Sequence, residues 1–157
     1  MIKVGALIPE NAFVRLANDS SVGEVSHTSP KLLHIWSISC PSCKSNMPHL
    51  HKLRDQFATH GLQTFAIHMP RGEGELDEEK VRAVADEIGV IELLLFDNDH
   101  EISETLGAHA VPAYFLFDAE GKLRRHALGN FGVRIIGEVV KRLFGDTEPV
   151  DETRTAT

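Results

Sequence analysis

The chain has 157 residues, 42% hydrophobic and 25% charged, a balance that suits one globular domain with a buried core. Its formal charge of -7, with no block of lysine or arginine set against it, excludes a generic nucleic-acid binder. No apolar run reaches membrane-spanning length, and Met1-Ile2-Lys3-Val4-Gly5 lacks the charged start and long apolar stretch of a signal peptide, so a cytoplasmic protein without a membrane partner is expected.

The first thirty residues carry weak signals. Ala12-Phe13-Val14-Arg15-Leu16 suggests a short strand and Asn18-Asp19-Ser20-Ser21 a turn, with the whole segment covering one edge of a sheet. Lys31 to Ser37 is a convincing strand, too short for a helix and apolar enough to be buried on both faces. A helical pattern follows to about His60. Met47, Leu50, Leu53 and Phe57 share one face, Pro48 should kink it, and Gly61 suits a left-handed C-cap.

Leu62 to Met69 reads as a second strand and Pro70 to Glu75 as an exposed loop. Asp77 can cap the next helix, whose apolar stripe of Val81, Val84, Ala85 and Ile88 ends at Gly89. Residues 93–96 form a short strand, and Asp97-Asn98-Asp99 leads into a brief helix with Ile102 and Leu106 that stops at Gly107. Ala113 to Phe117 and Leu123 to Leu128 are strands joined by a hairpin-length connection containing Gly121. A last helix carries Val133, Ile136, Val140 and Leu143. The prediction is an α/β fold, a mixed sheet flanked by helices, forming one domain over residues 1–145 with a disordered tail at 146–157.

Only two cysteines occur, in Cys40-Pro41-Ser42-Cys43. A reducing cytosol disfavours structural disulfides, which leaves redox catalysis or metal binding as uses of the pair. A strand that delivers Cys40 to the first turn of a helix sets its sulfur at the positive end of the helix dipole. Unsatisfied backbone N–H groups there stabilise a thiolate and make a nucleophile near neutral pH. Cys43, one turn on, can resolve a mixed disulfide formed by Cys40, so the pattern points to two-electron thiol exchange.

Trp-x-x-x-Cys-x-x-Cys after a strand, a proline-bearing helix, a later Val111-Pro112 before a strand, a hairpin and a closing helix together resemble the thioredoxin fold over residues 30–144. The stretch between the second strand and Val111-Pro112, with its own helix and strand, resembles the central insertion of the TlpA/ResA-like branch, also found in AhpC-type proteins. The hairpin Phe115-Leu116-Phe117-Asp118-Ala119-Glu120-Gly121-Lys122 matches that branch too. Ile35-Trp36-Ser37-Ile38-Ser39-Cys40, His68-Met69-Pro70-Arg71 and Val111-Pro112-Ala113-Tyr114 are similar to its leaderless, cytosolic thiol-disulfide oxidoreductases.

The resemblance implies that Cys40 is an exposed nucleophile and Cys43 a buried resolving cysteine. It implies a cis bond at Pro112 facing them, where the bland alternative is an ordinary trans turn; a cis bond would leave the carbonyl of Val111 as an edge for a partner's extended segment. Ser39, Pro41, Ser42, Val111 and Gly129 would line the partner groove, and Trp36 is counted with them as an aromatic packed under the active-site turn. His34 falls where thioredoxin-like enzymes place a buried acid. It is either a general base for Cys43 or a hydrogen-bonded core histidine. Asn46 stands where ResA-like proteins carry a glutamate. Disulfide-containing proteins are the implied substrates and an external thiol or reductase the implied donor, with no cofactor beyond the Cys40-Cys43 disulfide.

Two other chemistries compete. Nine histidines accompany the CxxC, and two thiolates with two imidazoles would make a tetrahedral copper or zinc site. A second CxxC is absent, however, and His49 and His51 point to different sides of their helix; His27, His60, His100 and His126 read as surface residues, and no metal site is expected. A peroxiredoxin motif fails because Leu33 occupies its proline position, although Ser37 could supply the hydroxyl. The sequence therefore favours a thiol-disulfide oxidoreductase working as a reductase of protein disulfides. Pro41-Ser42 matches neither the Gly-Pro of thioredoxin nor the Pro-His of strong oxidants.

Overall fold

The computed structural model describes residues 1–18 and 28–145. The turn expected after Asn18, His27 and the tail from residue 146 lie outside the described residues.

Five strands form one sheet: β1 (Lys31–Trp36), β2 (Gln63–His68), β3 (Leu93–Phe96), β4 (Ala113–Phe117) and β5 (Leu123–Leu128), in the spatial order β3-β2-β1-β4-β5. β1 pairs parallel with β2 and antiparallel with β4, β2 pairs parallel with β3, and β4 and β5 form the antiparallel hairpin. The mixed sheet read from the sequence is therefore present. All six residues of β1 are buried, as a central strand covered on both faces requires.

Successive side chains of β1 alternate between two cores. On one face Leu32 and Trp36 pack with Leu50 and Phe57 of α2 (Pro41–Ala58), Val81 and Ala85 of α3 (Glu78–Glu87), and Ile136 and Val140 of α5 (Gly132–Leu143). On the other, Leu33 and Ile35 pack with Ala12 and Leu16 of α1 (Glu10–Asn18) and with Ile102 and Leu106 of α4 (Glu101–Leu106).

Residues 12–16 correct the expectation of a strand. They lie in α1, where Ala12 and Leu16, four apart, face inward and Val14 faces out. The edge cover expected of this region is made by the residues before α1: Gly5 N–H donates to Leu123 O at 2.7 Å and Ile8 N–H to Gly121 O at 2.8 Å. α2 runs on through Pro48, and beyond its end Gly61 takes φ +98° while Leu62 N–H bonds Phe57 O. Asp77 caps α3, accepting from Glu79 N and Lys80 N. Among the described residues no helix is long and apolar enough to cross a membrane.

Candidate active site

β1 ends at Trp36, and the chain turns through Ser37 to Cys40, whose N–H bonds Ser37 O at 3.1 Å. Cys40 is the N-cap of α2, with Pro41 opening the helix and an extended backbone at the cap. Its sulfur accepts from Cys43 N–H at 3.1 Å and is joined to Cys43 in a disulfide with a Cα–Cα separation of 5.3 Å. Proline suits the first helical position because the N–H it lacks would have no partner there. The placement at the positive helix end read from the sequence holds.

One detail corrects the sequence reading. Cys40 was expected to be exposed, but in the disulfide it is 3% exposed against 2% for Cys43. Its sulfur folds inward over the first turn of α2, held by the bond to Cys43 and by the Cys43 amide. Trp36 likewise does not reach a partner: it is fully buried beneath the turn, its ring edge-on to His68 at 5.1 Å. Ser39 and Pro41 are exposed and Ser42 half-buried.

The Val111-Pro112 peptide is cis, and Pro112 is buried while Val111 is half-buried. Gly129, at φ +75°, donates its N–H to Pro112 O at 2.9 Å, a backbone conformation that residues with a Cβ adopt at a cost. The loop after β5 is thereby fastened to the cis-proline loop.

The loop after β2 clamps the turn before Cys40 from the other side. Arg71 Nη2 donates to Ser39 O at 2.6 Å and Arg71 Nε to Ser39 Oγ at 3.1 Å, while Ser39 Oγ donates to Glu75 Oε2 at 2.7 Å. Ser37 Oγ bonds Met69 O. Residues 71–74 are exposed, as expected of this loop, but Glu73–Glu75 forms a 3-10 turn that folds Glu75 inward to 8% exposure. His68 Nε2 accepts from Ile38 N–H at 3.2 Å and lies 3.6 Å from Glu75 Oε1. Burial lowers the His68 pKa to about 4, against the opposing charge of Glu75, which keeps the accepting nitrogen unprotonated.

Beneath α2 lies a second buried group. His34 shares its face of β1 with Leu32 and Trp36, and its Nε2 is 2.9 Å from Glu92 Oε2. Arg54 Nη1 donates to Glu92 Oε1 at 2.6 Å. Burial alone would raise the Glu92 pKa, but the hydrogen bond with His34 and the charge of Arg54 outweigh it and hold the carboxyl at about 2. An ionised carboxylate only accepts, so His34 donates from Nε2.

Glu92, Glu75 and Arg71 escaped the sequence reading. Arg71 lies in the quoted His68-Met69-Pro70-Arg71 motif, which was its available signal; the two glutamates had none. His49 lines a groove between α2 and α5, whereas His51 lies against Gly89 and near Glu92, so the two do not share a site. Among the described residues no group of three or more His, Cys, Asp and Glu side chains is placed to hold a metal ion.

A model of the AhpC/TSA family matches residues 10–126. The chain is 37% identical over 119 residues to the thiol-disulfide oxidoreductase YkuV of Bacillus subtilis (strain 168), covering 76% of this chain and 80% of that protein. It is 28% identical over 116 residues to the thiol:disulfide interchange protein DsbE of Escherichia coli (strain K12), covering 73% of this chain and 58% of the relative. A thioredoxin-like protein solved in solution in its oxidised form superposes with a TM-score of 0.75 at 33% identity, covering 94% of this chain and 100% of that one. A family match across most of the described residues, and a relative sharing more than a third of the aligned positions, place the chain in the AhpC/TSA family as a thioredoxin-like thiol-disulfide oxidoreductase.

Proposed function

We propose that this oxidoreductase works in the cytoplasm as a reductase of protein disulfides, without an organic cofactor. The observation that carries the reading is Cys40 as the N-cap of α2, with the Cys43 amide directed at its sulfur. The donor that stabilises the sulfur in the disulfide would stabilise it more as a thiolate, because charge strengthens a hydrogen bond. In the reduced protein the Cys40 thiolate attacks one sulfur of a partner disulfide, forming a mixed disulfide and expelling the partner's other sulfur as a thiolate. The Cys43 thiolate then attacks Cys40 Sγ, closes the Cys40-Cys43 bond and frees the partner's second sulfur. Two electrons have passed to the partner, and an external thiol donor returns the pair to the dithiol.

Within that sequence His34, held by Glu92 at Nε2, serves as the general base for Cys43. Ser39, Pro41, Ser42, Val111 and Gly129 meet the partner beside the cis-proline. The activities named for the relatives support the exchange, and a reducing compartment, where structural disulfides are rare, fits the direction.

Trapping tests the reading. Reduced Cys43→Ser protein mixed with a disulfide-containing protein is expected to accumulate as a covalent mixed disulfide on non-reducing gels, and Cys40→Ser to form none and lose turnover. Full turnover by Cys43→Ser without trapping would remove the resolving role.

A further inference from the structure

Asn46 links the active site to a groove that the exchange chemistry leaves unused. Its side-chain amide donates to Ser42 O at 2.8 Å and to Asn130 Oδ1 at 3.2 Å, tying the first turns of α2 to the residue after Gly129. From this bridge a groove of about 490 Å3 extends between α2 and α5. Its walls carry Lys52 from α2 and Arg134 and Lys141 from α5, against the one carboxylate of Glu138. All three cations are exposed, and Lys141 Nζ lies 4.0 Å from Glu138 Oε1. Phe131, beside Asn130, is 69% exposed, the most exposed aromatic among the described residues.

These features conflict with the rest of the molecule in a way that suggests an occupant. The chain carries a formal charge of -7, which at long range disfavours the approach of an acidic segment. Three cations gathered on the groove reverse that sign locally, within the roughly 10 Å over which charges are felt at moderate salt. An exposed phenyl ring at the mouth is the kind of anchor that binding surfaces bury. We infer that the groove is a docking surface for the polypeptide whose disulfide is exchanged, and that it selects an extended segment in which acidic residues flank an apolar one. The inference rests on the reductase reading and deepens it to a substrate class. The disulfide of such a segment meets Cys40 while its acidic flank lies along Lys52, Arg134 and Lys141.

The test uses two synthetic peptides of equal length, each closed by one disulfide and carrying one phenylalanine, the first flanked by glutamates and the second by lysines. Single-turnover rates are measured with the reduced full-length protein. The glutamate peptide is expected to react about ten-fold faster at low salt, and the ratio to fall toward one at about 0.5 M salt. Reversing two charges, Arg134→Glu with Lys141→Glu, is expected to bring the ratio below one, and the ratio is its own control for the fraction of active protein. Equal rates for the two peptides in the wild-type protein, or a ratio that survives both salt and charge reversal, would overturn the docking surface. A small uncharged disulfide separates the two readings. If wild-type protein reduces it while treating the peptides alike, the groove assignment alone falls; if it reduces none of the three, the reductase reading falls and takes the groove with it.

Discussion

Removing Glu92 would leave Arg54 and His34 facing each other across a buried gap, since both now bond the same carboxylate. Breaking a buried pair from one side costs about 3–5 kcal/mol, so Glu92→Ala should lose stability of that order in urea denaturation. The pH dependence follows from the signs. Glu92 in the folded protein has a pKa of about 2, below its ordinary 4.5, so its contribution is complete above pH 4.5 and is lost as pH falls toward 2. His68 is lowered from 6.5 to about 4 by burial; the unfolded chain therefore binds its proton first, and stability drops as pH falls from 6.5 to 4. Denaturation midpoints should decline through both windows, and His68→Gln should flatten the upper one. A profile flat from pH 7 to 4 would contradict the buried, neutral His68. The acid beneath the CxxC helix was not legible in the sequence: His34 was visible as an anomaly in an apolar strand, but Glu92 lies 58 residues away and nothing local marks it as buried.

α1 shows how an element can be misread at short range. In a strand Ala12, Val14 and Leu16 would share one face, whereas in a helix Ala12 and Leu16 face inward and Val14 turns outward. The structure has Ala12 and Leu16 fully buried and Val14 45% exposed. Leu16→Ala should therefore cost about 2–5 kcal/mol and Val14→Thr less than about 0.5 kcal/mol in chemical denaturation; comparable losses at the two positions would restore the strand. Longer elements were legible because period and punctuation agreed. α3 had its Asp77 cap, its apolar stripe and Gly89, and α2 had four apolar side chains in register before Gly61. The loop at 70–75 was legible as exposed over residues 71–74 but not at Glu75, which turns inward to meet Ser39 and His68, a long-range contact.

At the scale of the whole molecule, order along the chain identified the architecture. β1 ends where the CxxC begins, and the hairpin and α5 bring Gly129 back to the cis-proline. The inserted α3 and β3 carry Glu92 to His34 and Arg54, so the insertion completes the buried side of the site. The cysteines and the proline were readable because motif and fold specify one another. The α2–α5 groove was not, because Lys52, Arg134 and Lys141 meet through tertiary packing alone.

The central claim is reversible pairing of Cys40 and Cys43 at a reducing potential. The most direct measurement is an equilibrium redox titration of metal-free protein against defined dithiol/disulfide buffers, with both thiols scored by alkylation. One two-electron transition is expected at or below about -270 mV, the thioredoxin value. A transition near about -120 mV, as for DsbA, would make the protein an oxidant, and cysteines that never pair would end the oxidoreductase account.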